Sequence, residues 1–159
     1  MRKELIKSAS SSAPPVSDGL DIGAIAIVQV SSEMAGHPVE NAFDGQSGPG
    51  ASRWISETGG EHTLILAFDG PQAIHTLGLE IEETEEKRTQ ELEVSVSRDG
   101  GKMYREFVRQ EFNFSPEGAT FEREEWALNV EGITHLRLRI KPDKSGRLCR
   151  ASITSLFLR

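Results

Sequence analysis

Arg53 and Trp54 stand side by side at the end of a stretch, Gly36–Arg53, rich in Gly, Pro, Asn and Asp. An indole is amphipathic and stacks well on a sugar face, and a guanidinium forks to hydroxyls or to a carboxylate. With Asp44-Gly45 inside the same loop, the pair reads as a ligand platform. The same residues have a plainer structural reading. Trp54 then plugs a core, Asp44 caps the loop backbone, and Arg53 pairs with Glu57 or Glu61. A second candidate segment is KPDKSGRLCR, Lys141–Arg150, a long basic stretch in an acidic protein. Loops carry function more often than strands do. Arg147 and Arg150 are its candidates for holding an anionic or polyhydroxylated ligand, against simple solvation. His37, just before Pro38, is a loop histidine whose plain reading is also solvation.

Catalytic patterns are missing. The four histidines, His37, His62, His75 and His135, show no HExxH or HxH spacing. His75 alternates with Leu77 and Leu79 and is expected on the apolar face with them. GxSxG is absent, and Cys149 has no neighbouring histidine to activate it. GQSGPGAS lacks the lysine and the strand–helix setting of a phosphate loop. Acid pairs are abundant, but such pairs usually face solvent and are not specific for glycoside hydrolysis. Cys149 is the single cysteine, which excludes an intramolecular disulfide and any cysteine-based metal site.

These side chains need elements to position them. A chain of 159 residues suits one domain with a real core. The net charge of −7 disfavours a nucleic-acid binder. No apolar run approaches the ~18 residues of a membrane span, and the N-terminus has no apolar segment of a secretory signal. The expected location is the cytoplasm. Residues 1–20, Ser- and Pro-rich, read as a flexible tail, and residues 21–159 as the folded domain. From there short strands follow one another: Ala24–Ser31, His62–Phe68, Ala73–Glu82, Gln90–Ser97, Met103–Phe112, Ala119–Leu128, Ile133–Lys141 and Ser152–Leu158. In Ile133–Lys141 the apolar Leu136, Leu138 and Ile140 oppose His135, Arg137, Arg139 and Lys141. In Ala73–Glu82, Leu77, Leu79 and Ile81 oppose Thr76, Glu80 and Glu82. Asp99-Gly100 is a hairpin signal, and Pro38–Phe43 suits one helical turn. Eight strands with clean alternation, regular turn spacing and no long helix predict an all-β antiparallel sandwich or barrel.

The order of these motifs resembles the discoidin family, also called the coagulation-factor type C domain, with its galactose-binding-like family 32 carbohydrate-binding modules. HPVENAFDG (His37–Gly45) and SRWIS (Ser52–Ser56) resemble its opening. LILAFDGPQAIHTLGLEI resembles its paired second and third strands, ELEVSVSRDGGKMYREF its central hairpin, and HLRLRI and ASITSLFL its last strands. The resemblance spans residues 24–158 and implies an eight-stranded jelly-roll sandwich with ligand-binding loops at one end. It implies that a histidine near His37 bonds a sugar hydroxyl. It also implies a structural calcium held by first-loop carbonyls, by an Asp matching Asp44, and by a final-strand Glu. Here that last position is Ser155, and losing one carboxylate weakens a site of six to eight oxygens. Tyr104 stands where the hairpin usually carries Trp.

The resulting expectation is a non-catalytic module binding a carbohydrate or related polar ligand, with Trp54 stacking and His37, Arg53, Arg147 and Arg150 hydrogen-bonding. The alternative is an intracellular protein-interaction module that uses the same loops; an enzyme is the third and weakest reading.

Overall fold

Runs in which every second residue is apolar make strands with one oily face, and such faces must be covered. The computed structural model of the protein describes residues 2–3 and 19–159. Its strands are β1 (Arg2–Lys3), β2 (Ala26–Val30), β3 (Trp54–Gly59), β4 (His62–Glu82), β5 (Arg88–Ser97), β6 (Arg105–Phe114), β7 (Phe121–Lys141), β8 (Arg150–Ile153) and β9 (Ser155–Leu158). A helical turn, α1 (Ile22–Ile25), leads into β2, and a 3-10 turn covers Val39–Phe43.

Two long antiparallel strands, β4 and β7, build both layers of the sandwich. The first half of β4 pairs with β2 and with the second half of β7, which continues to β5 and β6. The second half of β4 pairs with the first half of β7 and with β9. Between Ala67 and Thr76 the β4–β7 register slips three times. Bulges there bend both strands from one layer into the other. Leu64, Leu66, Leu136, Leu138 and Ile140 from one layer meet Leu77, Leu79, Ile81, Leu156 and Leu158 from the other in one buried cluster. A two-stranded ladder of β3 and β8 lies alongside.

The expected all-β antiparallel sandwich is what forms, with differences of detail. His62–Phe68 and Ala73–Glu82 belong to one strand, because Asp69-Gly70-Pro71 bends the chain without ending it. Ala119–Leu128 and Ile133–Lys141 merge in the same way. The closing segment splits at Thr154, whose N–H bonds the Glu80 carbonyl instead. The bulge beside Ile74 turns that residue inward and leaves His75 exposed, so His75 is not a core residue. Most of the tail expected over residues 1–20 lies outside the described residues. Its Arg2–Lys3 pairs with β2, and Leu20 donates its N–H to the Leu158 carbonyl.

Candidate functional site

Where β2 ends, β4 begins and β7 ends, the connecting loops crowd one end of the sandwich. The loop after β2 is fixed by side chains reaching out from β4. Glu80 and Glu82 share the face of β4 opposite Leu77, Leu79 and Ile81, yet Glu80 is buried, against the alternation-based expectation that it faces solvent. The loop itself covers it. The Glu80 carboxylate accepts the Gly48 N–H at 2.7 Å and pairs with Arg123 Nη1 at 2.5 Å. Glu82 accepts the Gly50 N–H at 3.1 Å and Arg53 Nη1 at 2.8 Å. Arg53 therefore pairs with Glu82, not with Glu57 or Glu61 beside it in sequence.

A cleft of about 580 Å³ opens between this loop, the 83–86 segment and the start of β8. His37, Arg53 and Arg150 all line it, although they are far apart in sequence. Arg150 is pinned through Nε to the Glu57 carbonyl at 3.0 Å. Leu148 also lines the cleft and is 83% exposed. Glu85 and Glu86 line the same cleft. Sequence reasoning did not single out these three. An apolar residue between two basic ones (Arg147-Leu148-Cys149-Arg150) was the only available signal for Leu148. Glu83 at the cleft edge is shielded by burial, but N–H groups of Glu85 and Glu86 and the Arg88 guanidinium outweigh that. They hold its carboxyl below the usual carboxylate range. The Cys149 thiol is pushed up to about 11, by burial first and by the Glu86 carboxylate next. It is inert as a nucleophile at neutral pH.

Two expected ligand residues are placed elsewhere. Trp54 is fully buried in the sandwich, with Nε1 donating to the Ser32 carbonyl at 2.9 Å. Its indole has no free face, so it plugs the core and is not a stacking platform. Arg147 lies outside the cleft. Its Nε bonds Asp143 at 2.9 Å and its Nη2 donates to the Lys87 carbonyl at 2.5 Å, so it ties two loops together. The guanidinium, with the backbone N–H and the hydroxyl of Ser145 also donating, holds Asp143 down at about 2.

The residues around Asp44 do not fit a calcium ion. Such an ion needs six to eight oxygens directed at one point. Here the loop directs N–H groups of Gly48 and Gly50 at carboxylates. Asp44 Oδ1 accepts the Gln46 N–H, and Oδ2 accepts the Ser52 hydroxyl. Opposite Glu80 in β9 stands Ser155, and the positive charge beside Glu80 is Arg123. Among the described residues no group of three or more His, Cys, Asp or Glu is placed to hold a metal. Asp44 is a loop cap.

The family model of the F5/8 type C domain matches residues 26–155. The chain belongs to the F5/8 type C domain family. No match is found among curated proteins. Solved structures of low identity share the fold. One is the CBM32-3 module of a family 31 glycoside hydrolase from Clostridium perfringens, at 15% identity and a TM-score of 0.64, covering 88% of this chain and 93% of that one. Another is the family 32 carbohydrate-binding module of C. perfringens NanJ, solved with galactose, at 12% and 0.62, covering 88% and 96%. A third is CpGH89CBM32-5 from C. perfringens, solved with GalNAc-β-1,3-galactose, at 19% and 0.58, covering 89% and 99%. This F5/8 type C domain thus has the sandwich of carbohydrate-binding modules.

Proposed function

We propose that this F5/8 type C domain is a non-catalytic module that binds a neutral carbohydrate in the cleft lined by His37, Arg53, Leu148 and Arg150. The observation that carries the reading is their convergence at the loop end of a sandwich whose structural neighbours were solved with sugars. Arg53 and Arg150 each spend only part of the guanidinium on the protein. Their remaining N–H groups suit ring hydroxyls. Leu148 offers an apolar surface for the C–H face of a sugar, in place of the buried Trp54. Glu85 and Glu86 accept from hydroxyls and disfavour an acidic sugar in this cleft. An open cleft that buries little of its ligand gives weak, reversible binding. Glycoside hydrolysis requires a carboxylic acid kept protonated near neutral pH. Glu83 is held the other way, and Glu82 is paired with Arg53.

The test is calorimetric titration with galacto-configured and N-acetylated mono- and disaccharides. Binding that drops at least tenfold in Arg150→Ala and Leu148→Ser, with both variants folded, supports the reading. Absence of heat across the panel, or undiminished binding in both variants, overturns it.

A further inference from the structure

Two walls of the cleft lie far apart in sequence. One is the 83–86 segment, with Glu85 and Glu86. The other is the end of the 142–149 loop, with Leu148, followed by Arg150 at the start of β8. A single buried side chain is tied to both segments. Arg88, the first residue of β5, has no exposed side-chain surface, because alternation along β5 turns it into the end of the sandwich with Gln90. Its Nε donates to Glu83 Oε1 at 2.7 Å. The other oxygen of that carboxylate accepts the N–H groups of Glu85 and Glu86 at 3.1 and 3.2 Å, and so folds the turn that carries them. Arg88 Nη1 donates to the Pro142 carbonyl at 2.8 Å, where the 142–149 loop leaves β7, and to Gln90 Oε1 at 2.7 Å. Arg147 adds a second tie from the same loop, through Nη2 to the carbonyl of Lys87 just before Arg88.

Stability alone does not account for this arginine. Burying a charge is expensive, and apolar side chains of similar volume often replace a buried ion pair at no loss. Arg88 also keeps one buried nitrogen, Nη2, without a hydrogen-bond partner. What an apolar residue cannot do is hold several acceptors at set angles. A guanidinium is planar and rigid, so the carboxylate and the carbonyl bonded to it are fixed relative to each other. We propose that Arg88 and Glu83 are positioning residues that set the separation of the two cleft walls, and through it the affinity for sugar. Arg88 acts without touching the ligand, since its side chain is closed to solvent. It acts through Glu83 on one wall and through Pro142 on the other. The effect on affinity rests on the sugar-binding reading of the cleft; the effect on the walls does not.

The test compares the intact chain with Arg88→Lys, Glu83→Gln and the double variant, by amide shift mapping without ligand and by calorimetric titration with galactose. Arg88→Lys keeps the charge but loses the rigid fork, and Glu83→Gln keeps an acceptor for the turn but loses the charge. Without sugar, both single variants should move the Glu85, Glu86, Leu148 and Arg150 amides and leave those of Leu64, Leu136 and Leu138 in place. Galactose affinity should fall about fivefold or more in each single variant. The double variant should lose no more than about the larger single loss, because both changes cut one tie. If Arg88→Lys does not fold, Glu83→Gln, at a partly exposed position, decides by the same two readouts. Wall amides that stay in place in a folded variant overturn the proposal, and so does movement of the 83–86 wall alone. Walls that move with affinity unchanged overturn the role in binding, and losses that multiply in the double variant overturn the shared tie. A parent chain that binds no galactose or other sugar defeats the reading of the cleft instead, and the wall amides then decide the positioning role by themselves.

Discussion

Replacing Glu80 with alanine tests whether carboxylates, not a metal, order the first loop. The substitution removes the acceptor of the Gly48 N–H and the partner of Arg123. A hydrogen bond to a charged group contributes about 1.5–3 kcal/mol. The Gly48 bond falls in that range, because Glu80 is only 1% exposed. The Arg123 pair contributes less, because Arg123 is 48% exposed and water takes over much of its solvation. The two losses together destabilise the fold by about 2–4 kcal/mol. For a chain of this size each kcal/mol moves the thermal midpoint by about 2–4 °C, so Glu80→Ala should melt roughly 5–15 °C lower. Glu80→Gln keeps an acceptor for Gly48 and should lose less than Glu80→Ala. Calorimetry in chelator and in added calcium completes the assay. An ion at a hundred times its dissociation constant stabilises by about 2.7 kcal/mol, a rise of roughly 5–10 °C. The parent chain should show no such rise. A midpoint unchanged in Glu80→Ala, or a parent chain stabilised by calcium to that extent, refutes the reasoning.

Three further outcomes follow from the same geometry. Trp54→Phe should destabilise by about 1–3 kcal/mol, through a smaller core side chain and an unpaired Ser32 carbonyl, and leave sugar affinity within twofold; affinity lost from a stable variant would return the indole to the ligand site. Cys149 holds its proton more tightly folded than unfolded, so its contribution is complete below pH 9 and is lost as pH rises from there toward about 11. Alkylation at pH 7.5 should therefore track unfolding, and fast labelling of the native chain would contradict the burial. The Asp143 carboxyl is held at about 2 against an ordinary 3.8, so its contribution is present above the higher value and fades as pH falls between the two. Arg147→Ala should flatten that part of an acid-denaturation curve, and an unaltered curve would show that the pair does not link the loops.

Much of the fold was legible because alternation is a local signal. Leu136, Leu138 and Ile140 are all fully buried, as their spacing requires, while Arg137 and Arg139 lie 3.9 and 4.0 Å from Glu93 on the outer face. Alternation failed where something distant covers an outer face. Glu80 sits opposite the leucines as expected, but a loop more than thirty positions earlier closes over it. It failed again at the bulge beside Ile74, where one slip of register exchanges the inward and outward residues. The candidate site was legible in part. His37, Arg53 and Arg150 do meet, because the loops that hold them share one end of the sandwich. Trp54 was ambiguous, since an aromatic residue at a strand start serves a core or a ligand equally well. Glu85, Glu86 and Leu148 carry no motif, and only the folding of the 83–86 segment against β8 brings them to the cleft.

The central claim is that sugar enters the cleft between the first loop and β8. Its most direct measurement is amide shift mapping of the ¹⁵N-labelled chain during titration with galactose and GalNAc-β-1,3-galactose. The account predicts saturable shifts at His37, Arg53, Leu148 and Arg150, with the buried Trp54 indole signal unmoved. No saturable shift at those four residues, or shifts centred on another face of the sandwich, would contradict it.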